Sequence, residues 1–413
     1  MQPKRPIWTA LVLIVVALMV FEFWDIKPPT TVTVVTGQTQ GSLYRYAQSY
    51  SKALEQVSSD VELTPFPQTL ILPKKVNEFD GGQAIGFAVV NHDTRDYPNV
   101  RSLGVIDTQP LFIFVRQGKS GIQDIGDLRG RRIILPTEGS SAANAALAVM
   151  RLLDLSKGDI TVEHRPLQEV AQALDKLEFD AGFLMLAADH PLITKLLMNP
   201  SLKLLDLPLH EAISHRLDFL VPMTMSAGVI NLGAKVPESN LRLVGAPVDL
   251  IVHKDLHPAL VHALLDKLSE THGGQSLLER RGTYPIMAGS QWPMHPAAVE
   301  YARDGTPWIY KRLYPWLAAA LDEYWPLMVI LIGLATMYDG FDNFMGFVRT
   351  TRYFSALAIV SAVYRLGQHS TRPQQPWLYR VLCRLAEYLL QEESASHRAK
   401  ELLSKTEELQ RKA

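Results

Sequence analysis

Two short loops carry the residue types with the clearest chemical meaning. Gly37-Gln38-Thr39-Gln40-Gly41-Ser42 follows a β-branched run, Val32 to Thr36, and precedes Leu43, Tyr46, Ala47, Tyr50 and Leu54 at helical spacing. Its glycines permit unusual backbone angles, and Ser42 is placed to cap the helix that follows. Pro136-Thr137-Glu138-Gly139-Ser140-Ser141 repeats the device, leaving a strand at Ile133 to Leu135 and entering a helix at Ala142 to Leu153. A strand that feeds a helix through such a loop gathers free backbone N–H groups and the positive end of the helix dipole at one point, where an anion is stabilised. An ordinary α/β connection has the same pattern, so each loop alone leaves both readings open. Facing each other, the two would form a binding cleft.

Other chemistry fails on spacing. His210-Glu211-Ala212-Ile213-Ser214-His215 looks like a zinc-protease helix, but its histidines are five apart. On a helix that turns them about 140° from each other, so they cannot share a metal from one face. Gly37 to Ser42 lacks the Gly-Lys-Ser/Thr ending of a nucleotide loop, and no G-x-S-x-G elbow surrounds Ser140 or Ser141. Neither loop brings a nucleophile together with a titratable partner, so a binding protein is expected, not an enzyme, with no cofactor. Glu138 beside the second loop could contact a cationic ligand group or simply face solvent.

The elements that would position these loops alternate. Strands are expected at Val61 to Thr64, Ala84 to Val90, Ile160 to Glu163, Ala181 to Leu184, Lys203 to Leu205 and Val244 to Val252. Helices are expected near Leu72 to Phe79, Leu167 to Leu177, Pro191 to Met198, His210 to His215 and Pro258 to Thr271. The apolar block Leu103 to Val115 contains Pro110 and is expected to break into two extended pieces. This is an α/β pattern in two lobes, the first formed by residues 31–125 and 226–305 and the second by 126–225.

The chain has 413 residues, 47% of them hydrophobic, enough for two lobes and additional segments. Its net charge of -1, with no basic stripe in the central region, argues against nucleic acid as a partner. Cys383 is the only cysteine, so no disulfide forms within the chain, which fits a bacterial protein facing an oxidising periplasm.

Lys4 and Arg5 precede an apolar run from Ile7 to Val20 with no small-x-small site after it, which reads as an uncleaved anchor over residues 1–27. Aromatic residues crowd an interfacial segment at 306–323, and a second span is expected at 324–348 despite Asp339 and Asp342. Arg349, Arg352, Arg365 and Arg372 follow, as a cytoplasmic flank requires. The expected arrangement is two spans of the inner membrane, a periplasmic main domain, cytoplasmic termini and a helical tail over 349–413.

The residues resemble the TAXI group of solute-binding proteins associated with TRAP-type transporters. The resemblance rests on Thr36-Gly37, on Gly41-x-x-Tyr44, on Gly121 to Ile133 with its Asp127-Leu128-Arg129-Gly130 centre, on Gly139-Ser140, and on Leu174 to Phe183. It covers residues 31–305. It implies a periplasmic-binding-protein-like domain of type II, closing on a small anionic solute, commonly a carboxylate, with TRAP-type permease subunits as partners. Position by position it implies one wall of Thr36, Gly37, Gly41 and Tyr44, and another of Ser140, Ser141 and Asn144; Ser42, in the first loop, is a ligand-binding candidate beside them. Hydroxyls and N–H groups at helix N-termini suit a carboxylate. Gln38 and Leu43 stand where the family has a glycine and a tyrosine, and its Gly-Ser-x-Glu-Asn loop is not recognisable in Pro65 to Leu70. The alternative is a ligand-sensing adaptor that signals through the tail to a cytoplasmic partner.

Overall fold

The computed structural model describes residues 29–313, apart from 59, 91, 119–120, 156–157, 159 and 288, together with 318, 321 and 329. The chain divides into two units, residues 1–321 and 322–413, and every element below belongs to the first. The expected spans at 1–27 and 324–348 (residue 329 excepted) and the tail at 349–413 lie outside the described residues. Among the described residues no helix is long and apolar enough to cross a membrane.

Strand β1 (Thr31–Thr36) leads through α1 (Ser42–Leu54) to β2 (Asp60–Pro65), and α2 (Leu72–Asn77) precedes β3 (Ala84–Ala88) and the long β4 (Val100–Arg116). The alternation continues with β5 (Arg132–Leu135), α3 (Ser141–Leu152), β6 (Thr161–His164), α4 (Leu167–Asp175) and β7 (Ala181–Met185). Next come α5 (Pro191–Leu197), β8 (Leu202–Leu204), α6 (His210–Arg216), β9 (Val221–Met225) and β10 (Leu241–His253). Helices α7 (Pro258–His272), α8 (Pro296–Asp304) and α9 (Trp308–Arg312) complete the described part.

The strands form two α/β lobes. In the first, the order is β2-β1-β3-β10-β4, with β1 parallel to β2 and β3, and β10 antiparallel to both β3 and β4. In the second, β7 lies between β4 and β5, and β5 is parallel to both β7 and β6. Central parallel strands are covered on both faces, which is why Val32, Val34 and Val35 of β1 and the whole of β3 are buried. Helix α1 turns Leu43, Ala47, Tyr50 and Leu54 into the core, the face its spacing specifies.

Strand β4 belongs to both lobes. Val100 to Pro110 pair with β10, whereas Leu111 to Val115 pair with β7. The expected break at Pro110 does not occur: one strand runs through all 17 residues. Pro110 falls where pairing passes from one sheet to the other, and there the N–H it lacks is not needed by the ladder. Strand β10 runs alongside, pairing β9 through Leu241 to Gly245 and β3 and β4 beyond. These two strands connect the lobes.

At the exit from the domain, α9 lies against α7, the Tyr310 and His262 ring centroids being 4.0 Å apart. The aromatic stretch expected at 306–323 therefore begins on the folded unit.

A candidate ligand cleft between the lobes

In open α/β sheets ligands bind beyond the carboxyl ends of the parallel strands. Here those ends converge. Gly37 follows β1, Pro67 follows β2, Val89 follows β3, Pro136 follows β5, Leu167 opens α4 after β6, and Leu186 follows β7; all six line one cavity of about 60 Å³. Of the residues expected at the site, Gly37, Gly41, Ser42, Ser140 and Ser141 line this cavity. Thr36, fully buried, and Tyr44 and Asn144, half-buried, are outside the lining.

The polar groups mostly bond across the cleft. Gln38 Nε2 donates to Thr137 Oγ1 at 3.0 Å, and Gln38 Oε1 accepts from Leu167 N at 3.1 Å. Ser42 Oγ accepts from Ala187 N at 2.8 Å. Thr69 Oγ1 accepts from Ser141 N at 2.7 Å and stands 2.7 Å from Ser141 Oγ. Leu70 N donates to Gly139 O at 3.1 Å. Gly139 adopts φ +78°, and a Cβ there would approach the Gln68 side chain to 3.1 Å, so glycine permits this close approach of the two loops.

Ser42 departs from its expected role. The N-cap of α1 is Gly41, with no side-chain cap, and Ser42 is the first helical residue. Its hydroxyl is thereby released to bridge the cleft. Ser140 does cap α3, accepting from Ala143 N at 3.2 Å, so the Ser141 N–H is the helix-terminal donor that faces the opposite lobe, where Thr69 meets it.

Two buried polar atoms in this region have no hydrogen-bond partner among the described residues: Thr36 Oγ1 and Gln109 Nε2. Leaving a buried polar group unpaired costs about 1–3 kcal/mol, so each marks a place where a ligand or water atom would be stabilising. Gln109 Nε2 is a donor in the cavity wall. At the rim, Arg45 and Asp189 form a half-exposed ion pair at 3.9 Å.

The loop glycines and hydroxyls are visible as types in the sequence, but Gln38, Thr69 and Gln109 are not apparent there as site residues. A polar side chain inside the apolar run Leu103 to Val115 is the signal that could have found Gln109. Thr69 had none, because its role depends on α3, 72 residues later. His210 and His215 both lie on α6, and among the described residues no group of three ligating side chains could hold a metal.

A profile of the NMT1-like family matches residues 88–304. Solved structures similar to the chain include the periplasmic aliphatic sulphonate binding protein SsuA from Escherichia coli, at 16% identity over 59% of this chain and 72% of that one, with TM-score 0.37. The alkanesulfonate-binding protein SsuA from Xanthomonas axonopodis pv. citri, bound to MOPS, is 19% identical over 59% and 73% of the two chains, with TM-score 0.36. The effector binding domain of QuiR in complex with shikimate is 11% identical over 59% and 96%, with TM-score 0.37. No curated protein matches the chain.

Proposed function

The chain belongs to the NMT1-like family, and from that premise we propose that it is an extracytoplasmic solute-binding protein whose two lobes enclose a small carboxylate. The observation that carries this reading is the convergence of strand ends from both lobes on one cavity with an unpaired amide donor, Gln109 Nε2, in its wall. Three further N–H donors stand near it, those of Ser141 at the start of α3, Leu167 and Ala187; Thr69, Gln38 and Ser42 of the opposite lobe accept from them here, and an anion would replace those side chains as acceptor. N–H donors at a helix N-terminus favour an anion. About 60 Å³ suits an anion of a few heavy atoms; a larger dicarboxylate would have to part the lobes.

The proposal includes anchoring in a bacterial inner membrane through residues 1–27 and 324–348, with both termini cytoplasmic, and delivery of the solute to a TRAP-type permease. Reporter fusions after residues 30, 305 and 360 test the topology, and a cytoplasmic reading for residue 305 would overturn it.

A second reading, the ligand-sensing adaptor, is favoured by the direct bonds that Gln38, Ser42 and Thr69 make to the opposite lobe. Lobes that hold each other through their own side chains can set a default state that a solute then alters.

The decisive experiment is thermal unfolding of the full chain with acetate, pyruvate, malonate and succinate. A solute that binds the folded state at 100 times its Kd adds about 2.7 kcal/mol, so a clear rise in Tm is expected for the smaller anions. Gln109→Leu should abolish the rise. Absence of any shift at saturating concentrations, or a shift that survives Gln109→Leu, would overturn the carboxylate reading.

A further inference from the structure

A second and larger cavity, about 400 Å³, lies against the connecting strands and shares only Val89 with the cleft lining. Its wall is built by a pleat irregularity. In the pairing of β10 with β4, Val248 faces Asp107 and Asp249 faces Val105, so Ile106 is an extra residue on β4. Such a bulge changes which side chains share a face. Val105 and Thr108, which strict alternation would place on opposite faces, both line the cavity, together with Pro247 and Asp249 of β10. Asp107 does not line it; its carboxylate accepts from Tyr46 Oη at 2.6 Å.

The opposite wall is the loop before α8, fastened to β4 as if it were a strand. Val105 N donates to Ile286 O at 2.9 Å, and Ile286 N to Val105 O at 2.8 Å; Ser102 N and His295 N continue the pattern. Gly104 makes this possible. Its φ is +127°, and a Cβ there would lie 3.0 Å from Ile286 O. Tyr284 Oη donates to Thr108 Oγ1 at 2.6 Å, and the Trp292 ring packs 5.7 Å from Tyr97 and 5.8 Å from His92. The aromatic part of the wall is thus held in place.

The lining has a consistent chemistry. Asp218, Asp249 and Glu279 contribute three carboxyl groups, Phe219, Tyr284 and Trp292 contribute aromatic surface, and no lysine or arginine lines it. Carboxylates attract a cation, and aromatic faces add attraction to an ammonium group while covering its carbon body. We infer that this cavity is a second ligand site, selective for a small organic cation, an amine or quaternary ammonium compound with an apolar portion. Burial raises the carboxyl pKa of Asp249, against the hydrogen bonds from Ser290 and Ser102, and burial likewise raises that of Glu279. A bound cation would favour their ionised forms. The occupant would touch both connecting strands, so it is positioned to influence the angle between the lobes.

The site differs in sign and residues from the cleft, and the carboxylate reading can fail without affecting it. The test is calorimetric titration of the full chain with choline and phenethylamine, each against its uncharged analogue, 3,3-dimethyl-1-butanol and 2-phenylethanol. At least one cation should bind about tenfold more tightly than its analogue, a difference of 1.4 kcal/mol. Asp218→Asn with Glu279→Gln, at positions outside the deep core, should lower that affinity about tenfold, while Glu138→Gln on the exposed loop beside the cleft should leave it unchanged. Equal binding of cation and analogue, no binding of either cation up to about 10 mM, or full affinity in the double variant would overturn the inference.

Discussion

The cleft and the cavity beside the connecting strands share Val89 in their walls, yet they are made from different materials. The cleft is small, and the polar groups among its apolar lining are hydroxyls and amides; the other cavity is several times larger, and its aliphatic lining is joined by carboxyl and aromatic side chains. Parallel strands all deliver their carboxyl ends to the same edge, so a cleft built on them inherits backbone N–H donors, the basis of the proposed anionic ligand. Antiparallel strands with a bulge and a loop fastened alongside deliver side chains instead, and the chemistry depends on which residues those are. The two proposals thereby assign sites of opposite charge preference to neighbouring positions of one fold.

The largest expected effect comes from breaking the second wall while sparing the first. Gly104→Val would force a β-branched residue into φ +127° and against Ile286 O, detaching the loop that carries Tyr284 and Trp292. A loss of about 2–4 kcal/mol is expected in urea denaturation, with cation binding abolished and any carboxylate response of the cleft retained. Loss of both responses together would show that the two sites are not separable.

Thr69→Ala sharpens the comparison from the cleft side. The variant leaves the buried Ser141 N–H without its acceptor, which should cost about 1–3 kcal/mol. A carboxylate can take the vacated position, so the Tm rise given by acetate should be larger in the variant than in the parent protein, while choline affinity stays constant. A smaller rise would mean that Thr69 itself contacts the anion.

A pH series tests the claim that neighbours on β4 face different surroundings. Burial raises the Asp107 carboxyl from 3.8 to about 6, although Tyr46 donates a hydrogen bond to it. The native state then binds more protons than the unfolded chain between these values. The contribution of Asp107 is fully present below about pH 4 and is lost as pH rises through about 6. Asp107→Asn should therefore gain stability relative to the parent between pH 4 and pH 6, by up to about 3 kcal/mol, with a constant difference above. The difference curve is the measurement, because His272, pushed down to about 4 by burial, changes the parent and variant alike in the opposite sense. A flat difference would place the Asp107 carboxylate in water.

The smallest effect is expected at the rim. Arg45→Ala removes an exposed ion pair at 3.9 Å and should change stability by less than about 0.5 kcal/mol, measured by the same denaturation. A much larger change would mean that the lobes depend on this pair more than on Gln38, Ser42 and Thr69.

The elements of the domain were legible because their signals are local. Val32 to Thr36 specify a buried strand through a continuous β-branched run, and Leu43 to Leu54 an amphipathic helix through a period of 3.6. The glycine and hydroxyl loops after β1 and β5 could be read as cleft-forming for the same reason, and five of the eight residues expected at the site line the cavity. Pro110 misled, because a proline is disfavoured in the interior of one sheet but acceptable where a strand passes between two. Ser42 lines the cavity but does not cap α1: that position is filled by Gly41, and the Ser42 hydroxyl accepts from Ala187 N, 145 residues away.

By itself, then, the sequence determined the α/β alternation and the two loops of glycines and hydroxyls, since these follow from residues within one strand-loop-helix unit. Only the tertiary structure decided that Gln38, Ser42 and Thr69 hold the lobes to each other, that Gln109 remains an unpaired donor, and that Asp218, Asp249 and Glu279 meet around one cavity. The physical reason is sequence distance. These contacts join residues tens to more than a hundred positions apart, and a bulge of one residue is enough to change which face they share.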